Sequence, residues 1–565
     1  MLQTKIISSQ QKAFIDDSIE AYPRLQNISV LQGEKLSFQL LYVDTGKENL
    51  PIRPYCTLGN KGELASGARV RDVRNVPVDR PVHPHPHDEN YLRTTPGIYP
   101  DILTPLRYGG KITVARDKLR SLWIELEIPE DAKGIYELDL SINLIGAAVG
   151  DTENAELGGE PISTDRLTVD VIPATLPRQE LIFTQWFYAD CLAAYYNVPV
   201  WSDRHFEIIE NFARVGAARG RNMIYTPLLT PALNVLEPYK RVPTQLVDVT
   251  LTNGVYTFDF ANLDRWVDMC DRLGIQYLEI SHFYHQDQAK HSAKVYGTVD
   301  GEYTEIFGWK TLSTDPEYVR FLREMITAFL SHMKARGDDK RCYFHISDEP
   351  KIASLEHYLT VKNNIADLLS GYVIMDALSN FEFYKSGAVD CPIPVTPHVD
   401  PFLEAGVKDL WTYYAGFTTV KYSNCLVAVP SWRTRSIGMQ MYKYNIAGFL
   451  HWGFNYYNNR ASGDAINPYL DLGGEDWVPA GDTFVVYPDT DGTPLESLRI
   501  ITLEEALQDI RAMRLAEQLT SHQEVVAAME EAFGAEITFE RCAVNEDEMH
   551  RVRPAVNELI RQNLS

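Results

Sequence analysis

Residues 1 to 175 alternate apolar and polar positions in short runs separated by turns. Leu36, Phe38, Leu40 and Tyr42 form one run, and Leu122, Ile124, Leu126 and Ile128 another. The turn PEDAKG (129–134) leads into Tyr136, Leu138, Leu140, Ile142 and Leu144. Leu167, Val169 and Val171 close the region before Pro173. A period of two with turn signals predicts strands with one buried face, hence an antiparallel β-sandwich over 1–175. Residues 146–164, rich in glycine and acids, predict a mobile hairpin loop.

Past the proline-punctuated linker PATLPRQE (173–180) the pattern changes. Apolar strands at Leu181–Phe187, Asn222–Thr226, Gln276–Phe283 and Arg341–Ser347 alternate with helical stretches. Tyr372–Leu378, Ile393–Thr396, Leu410–Tyr414 and Ile446–Gly453 continue the series. These β units predict a (β/α)₈ barrel of the TIM type within a domain spanning 176–515. A doubly wound sheet is the alternative, but no GxGxxG turn supports it. Thr502 with Glu505 predicts a capping box for a closing helix, and Ser521 with Glu524 another. Residues 516–565 read as a C-terminal helical extension.

Charge and composition narrow the function. The chain has 565 residues, 53 basic and 77 acidic, for a net charge of −24. That balance argues against nucleic acid and anionic membrane as partners. No run of about 18 apolar residues occurs, so no membrane span is expected. The N-terminus lacks the apolar core of a signal peptide. Seven scattered cysteines without a CxxC suggest reduced thiols in a cytoplasmic protein. The segment His83-Pro84-His85-Pro86-His87 offers histidines at alternate positions. Its prolines oppose a regular strand, and no cysteine or carboxylate set completes a metal site. It reads as an extended surface or domain-interface loop. No metal and no cofactor are expected, and the oligomeric state is open, a homodimer included.

The chemistry concentrates in RCYFHISDEP (341–350). Tyr343, Phe344 and Ile346 suit a buried strand, and Asp348 and Glu349 stand at its exit. Pro350 is expected to push Glu349 into an extended conformation. A rival reading has Ser347, Asp348 and Glu349 capping the next helix. Counted as the fourth barrel strand, the stretch places both acids on the face where such barrels carry their chemistry. Other strand ends bring Gln185, Trp186, His282, Asp376, Tyr413, Trp452 and Asn455. Flat rings for the apolar face of a sugar, with amides and carboxylates for its hydroxyls, suit glycoside hydrolysis. Core packing is the plain alternative for each of these residues.

Neighbouring acids on one strand exit point in different directions and do not easily flank a sugar as nucleophile and acid. They suit a route in which the substrate's 2-acetamido oxygen attacks, an exception to the two-carboxylate rule. A non-acetamido glycosidase with a separate nucleophile such as Asp376, or a non-catalytic glycan-binding protein, remains the alternative.

FHISDEP (344–350) resembles the catalytic motif of glycoside hydrolase family 123, the β-N-acetylgalactosaminidases and their relatives. TQWFYADCLA (184–193), EISHFY (279–284), FGW (307–309) and GFLHWGFNYYN (448–458) resemble that group's pattern, as does GDTFVVYP (481–488). The resemblance implies retaining, exo-acting hydrolysis assisted by the acetamido group. It implies that Asp348 orients that group and that Glu349 is the general acid/base. Substrate contacts implied or expected are Gln185, Trp186, His282, Trp309, Asp376, Tyr413, Trp452 and Asn455. The stretch HQDQAKHSAKVYG (285–297) departs from the group's pattern.

Overall fold

A computed structural model of the chain describes residues 2–46, 52–83, 86–106, 110–144, 160–475 and 477–564. Most of the 146–164 loop expected from the sequence lies outside these residues, as do Pro84 and His85 of the histidine segment.

The N-terminal region forms a five-stranded sheet and five strands of a seven-stranded one. Their inner faces share one core, with Phe38, Leu40, Leu122 and Ile124 against Leu138, Leu140, Leu167 and Val169. Alternation put these side chains on one face, and burial holds the sheets together. One pair breaks the antiparallel pattern, since Glu160–Thr175 runs parallel to Asn27–Gln32.

The second region contains eight parallel strands in barrel order. They are β1 (Ile182–Gln185), β2 (Met223–Thr226), β3 (Tyr277–Ile280) and β4 (Cys342–Phe344). They continue as β5 (Val373–Ala377), β6 (Cys391–Ile393), β7 (Trp411–Tyr413) and β8 (Gly448–His451). β1 pairs with β8, and a single bridge from Val395 to Tyr413 spans β6 and β7, so the barrel is nearly closed. The strands are buried on both faces, as strands covered on both sides are, and they carry a few buried polar residues such as Glu279 and Asp376. Helices follow them, but those after β5 and β6 shrink to five residues each, Phe381–Lys385 and Asp400–Glu404.

Two late strands, Val486–Pro488 and Pro494–Ser497, leave the barrel and extend the seven-stranded sheet beside Gly97–Pro105. Buried ion pairs lock the two regions together. Arg219 joins Glu125 at 2.9 Å, and Arg499 joins Asp101 at 2.9 Å. Helices Leu498–Leu519, His522–Phe533 and Glu546–Asn563 close the chain.

The capping box at Thr502 and Glu505 does not form. The helix starts earlier, capped by Ser497, which accepts from Ile500 N. Thr502 Oγ1 donates to Leu498 O inside the helix, and Glu505 pairs with Arg435. Ser521 does cap the next helix through Glu524 N. No helix of the described residues is long and apolar enough to cross a membrane.

Candidate active site

β4 ends at Phe344, and the chain beyond it is held by β5. Asp376 accepts from Ile346 N at 3.1 Å and from Ser347 N at 3.3 Å. Glu349 N donates to Ala377 O at 3.0 Å. Glu349 then adopts a left-handed backbone, φ +45°, instead of the extended one expected before Pro350. A non-glycine residue holds that conformation only where its surroundings fix it. Here both its N–H and its carboxyl, which accepts from Tyr413 Oη, are tied.

The twist separates the two acids. Asp348 is 3% exposed, whereas Glu349 faces solvent. Gln286 Nε2 donates to Asp348 Oδ2 at 2.6 Å, and Gln286 Oε1 is fixed by Asn234 N at 3.1 Å. Asp348 Oδ1 is buried without a hydrogen-bond partner among the described residues. Burial, and then the charge of Glu349, push the Asp348 carboxyl well above the usual range. The capping alternative fails. Ser347 Oγ donates to His285 O, and the following helical turn begins at Ile352 with Lys351 at its cap.

Beneath the acids lies a buried charged row. His345 Nδ1 meets Asp376 at 2.9 Å and His345 Nε2 meets Glu279 at 2.8 Å. Burial alone would lower the His345 pKa, but hydrogen bonds to Asp376 and Glu279 raise it to about 9. Glu279 also accepts from Trp186 Nε1 at 2.7 Å and from Thr184. His282 stacks on His345 with ring centroids 4.2 Å apart, and burial with the neighbouring His345 charge lowers its pKa. His282, His345 and Asp376 bring ligand-type atoms within 4.8 Å of one another. They do not fit a metal, because both His345 nitrogens already face carboxylates and the rings stack face to face.

The cleft above this row has a volume of about 210 Å³. Of the residues picked out from the sequence, Trp186, Asp348, Glu349, Tyr413 and Trp452 line it. The others do not. Asp376 and His282 are fully buried behind Asp348. Gln185 is buried between His451 and Arg221. Asn455 is wholly engaged with the backbone of Tyr188. Trp309 packs on His285, ring centroids 3.6 Å apart, outside the lining.

The wall also contains Gln286, Asn234, Arg460, Trp477 and Asp482, which the sequence reading passed over. Asp482 was within reach, since it lies in the quoted GDTFVVYP segment; it accepts from Trp452 Nε1 at 2.9 Å. Gln286 sits in the stretch set aside as unlike the family pattern. A larger crevice of about 410 Å³ lies against the C-terminal helix. Its carboxyls Glu34, Asp170 and Glu505 are each paired with an arginine, so it offers no free acid.

The family model described as the glycoside hydrolase 123 catalytic domain matches residues 186–516, the segment that carries this cleft. The chain belongs to glycoside hydrolase family 123. A family 123 glycoside hydrolase from Clostridium perfringens, solved in a study of glycolipid glycan hydrolysis, superposes with a TM-score of 0.73. The match covers 99% of this chain and 98% of that one at 15% identity, a likeness of fold. A family 2 member from Bacteroides cellulosilyticus matches with a TM-score of 0.25 at 10% identity, over 75% of this chain and 44% of its own. A family 5 mannosidase from Rhizomucor miehei matches with 0.31 at 12% identity, over 59% and 94%. No curated protein matches by sequence.

Proposed function

We propose that this family 123 hydrolase removes terminal β-linked N-acetylgalactosamine, using the substrate's own 2-acetamido oxygen as nucleophile. The observation that carries this reading is the separation of two adjacent acids into a buried one and an exposed one. A buried carboxyl oxygen without a partner suits an acetamido N–H, and Asp348 Oδ1 is such an atom. An exposed acid at the cleft suits proton exchange with a leaving group and then with water, and Glu349 is such an acid.

In this mechanism Asp348 holds the N–H and turns the carbonyl oxygen toward the anomeric carbon. That oxygen bonds to C1 as the C1–O bond to the leaving group breaks. Glu349 gives its proton to the departing oxygen. Glu349 then takes a proton from water, which attacks C1 and opens the oxazoline ring. Two displacements leave the β configuration retained. A separate nucleophile finds no support at Asp376, which is fully buried and bonded to His345, Tyr358 and two backbone N–H groups.

The choice of N-acetylgalactosamine rests on the family motif, and the small cleft supports exo action on a glycan such as that of a glycolipid. A panel of aryl β-glycosides (GalNAc, GlcNAc, Gal, Glc) tests the sugar. A thiazoline mimic of the bicyclic intermediate tests the route; absence of inhibition at high concentration would sink it.

A further inference from the structure

Of the residues lining the cleft, only Glu349 and Phe417 are exposed. Phe417 leaves 54% of its surface in solvent. More than half of this apolar ring lies in water, and it shares the solvent-facing part of the cleft lining with the acid, where a partner can pack on it.

The segment that carries the ring is held from the barrel, where Asn424 Nδ2 donates to Ala415 O and to Thr418 O at 2.9 Å each, and also from the sandwich region. Thr419 Oγ1 donates to Pro86 O at 3.0 Å. Tyr91 Oη donates to Thr419 O at 3.2 Å. Asp88 accepts from Lys421 N at 2.6 Å and from Arg433 at 2.7 Å. On the other side a Cβ at Gly416 would come within 2.7 Å of Asp482, so the chain passes close to the cleft wall there. The N-terminal region thus helps to set where Phe417 stands, although it supplies none of the lining residues.

Chemistry gives the position a meaning. A general acid faces the oxygen that departs, so whatever that oxygen carries lies on Glu349's side of the cleft. A pyranose has a C–H face that packs against an aromatic ring. We propose that Phe417 is the platform for the first ring of the leaving group, held in place in part by residues 86–91. The inference rests on the glycosidase reading above and assigns its leaving-group specificity. The chemical class is a neutral hexopyranose attached through the scissile oxygen.

The test compares two substrates of one donor sugar. One is a β-linked N-acetylgalactosaminyl disaccharide, whose leaving group is a pyranose; the other is the glycosyl azide, whose leaving group has no ring. For Phe417→Ala, the ratio of kcat/KM on the disaccharide to that on the azide should fall roughly tenfold relative to wild type. Phe417→Trp should keep the ratio near wild type. Tyr91→Phe, which loses the bond to Thr419 O, should lower it by less than Phe417→Ala. An unchanged ratio in Phe417→Ala, with both substrates cleaved, overturns the inference and leaves the proposed function standing. If the wild type cleaves neither substrate, the function fails and this inference falls with it.

Discussion

His345 Nδ1 lies 2.9 Å from Asp376 Oδ1, directly behind the strand exit that presents the two acids. The same carboxylate accepts from the backbone of Ile346 and Ser347, so one group fixes both the imidazolium and the main chain before Asp348. Removing its charge leaves a buried cation half-compensated. Asp376→Asn should therefore cost about 3 kcal/mol of stability. Chemical denaturation measures it; a loss near zero would show that the contact contributes little.

The charge of His345 makes stability depend on pH. Its folded-state pKa, about 9, lies above the ordinary histidine value. The stabilisation is thus fully present below about pH 6.5 and is lost as pH rises through about 9, a change on the order of 3 kcal/mol. Asp348, raised in the same direction, adds to the fall as pH rises from the ordinary carboxyl range. Thermal unfolding of the wild type and of His345→Gln across pH 6 to 9 checks this. The variant should show a flatter profile.

Glu349→Gln should slow cleavage of substrates with poor leaving groups by roughly 10²–10⁴-fold, and activated aryl glycosides far less. Only the former need the proton. Equal losses on both would remove Glu349 from the acid role.

Asp348→Asn should slow both substrate types alike, by roughly 10²–10³-fold, since it acts on the acetamido step common to them. An unaffected aryl-glycoside rate would contradict that assignment.

Tyr413→Phe should lower kcat by about tenfold with little change in KM, because Tyr413 Oη donates to Glu349 and holds the acid in place. A change in KM alone would make Tyr413 a binding residue instead.

Much of this was legible in the chain. Period-two runs marked the sandwich strands, and apolar runs spaced by helical stretches marked the eight barrel strands, because burial imposes those periods directly. The acids stood out because Asp348 and Glu349 follow apolar residues that need no charge. Strand-end position was a poorer guide to the side chains around them. Trp186 and Trp452 reach the cleft, while Gln185 and Asn455 a few residues away turn into the protein. Asp376 looked like a substrate contact for the same reason and is instead fully buried beneath the acids.

The sequence by itself determined the order of elements, the family and the pair of acids, since each is written in local spacing and in a short motif. Only the tertiary structure decided what those acids meet. The left-handed turn at Glu349 depends on Ala377 and Tyr413, from two other strands. The partner of Asp348 is Gln286, 62 positions away. The place of Phe417 depends in part on residues 86–91 of the sandwich. Contacts between residues far apart in the chain leave no periodic trace, because they arise only when the packed core brings their elements together.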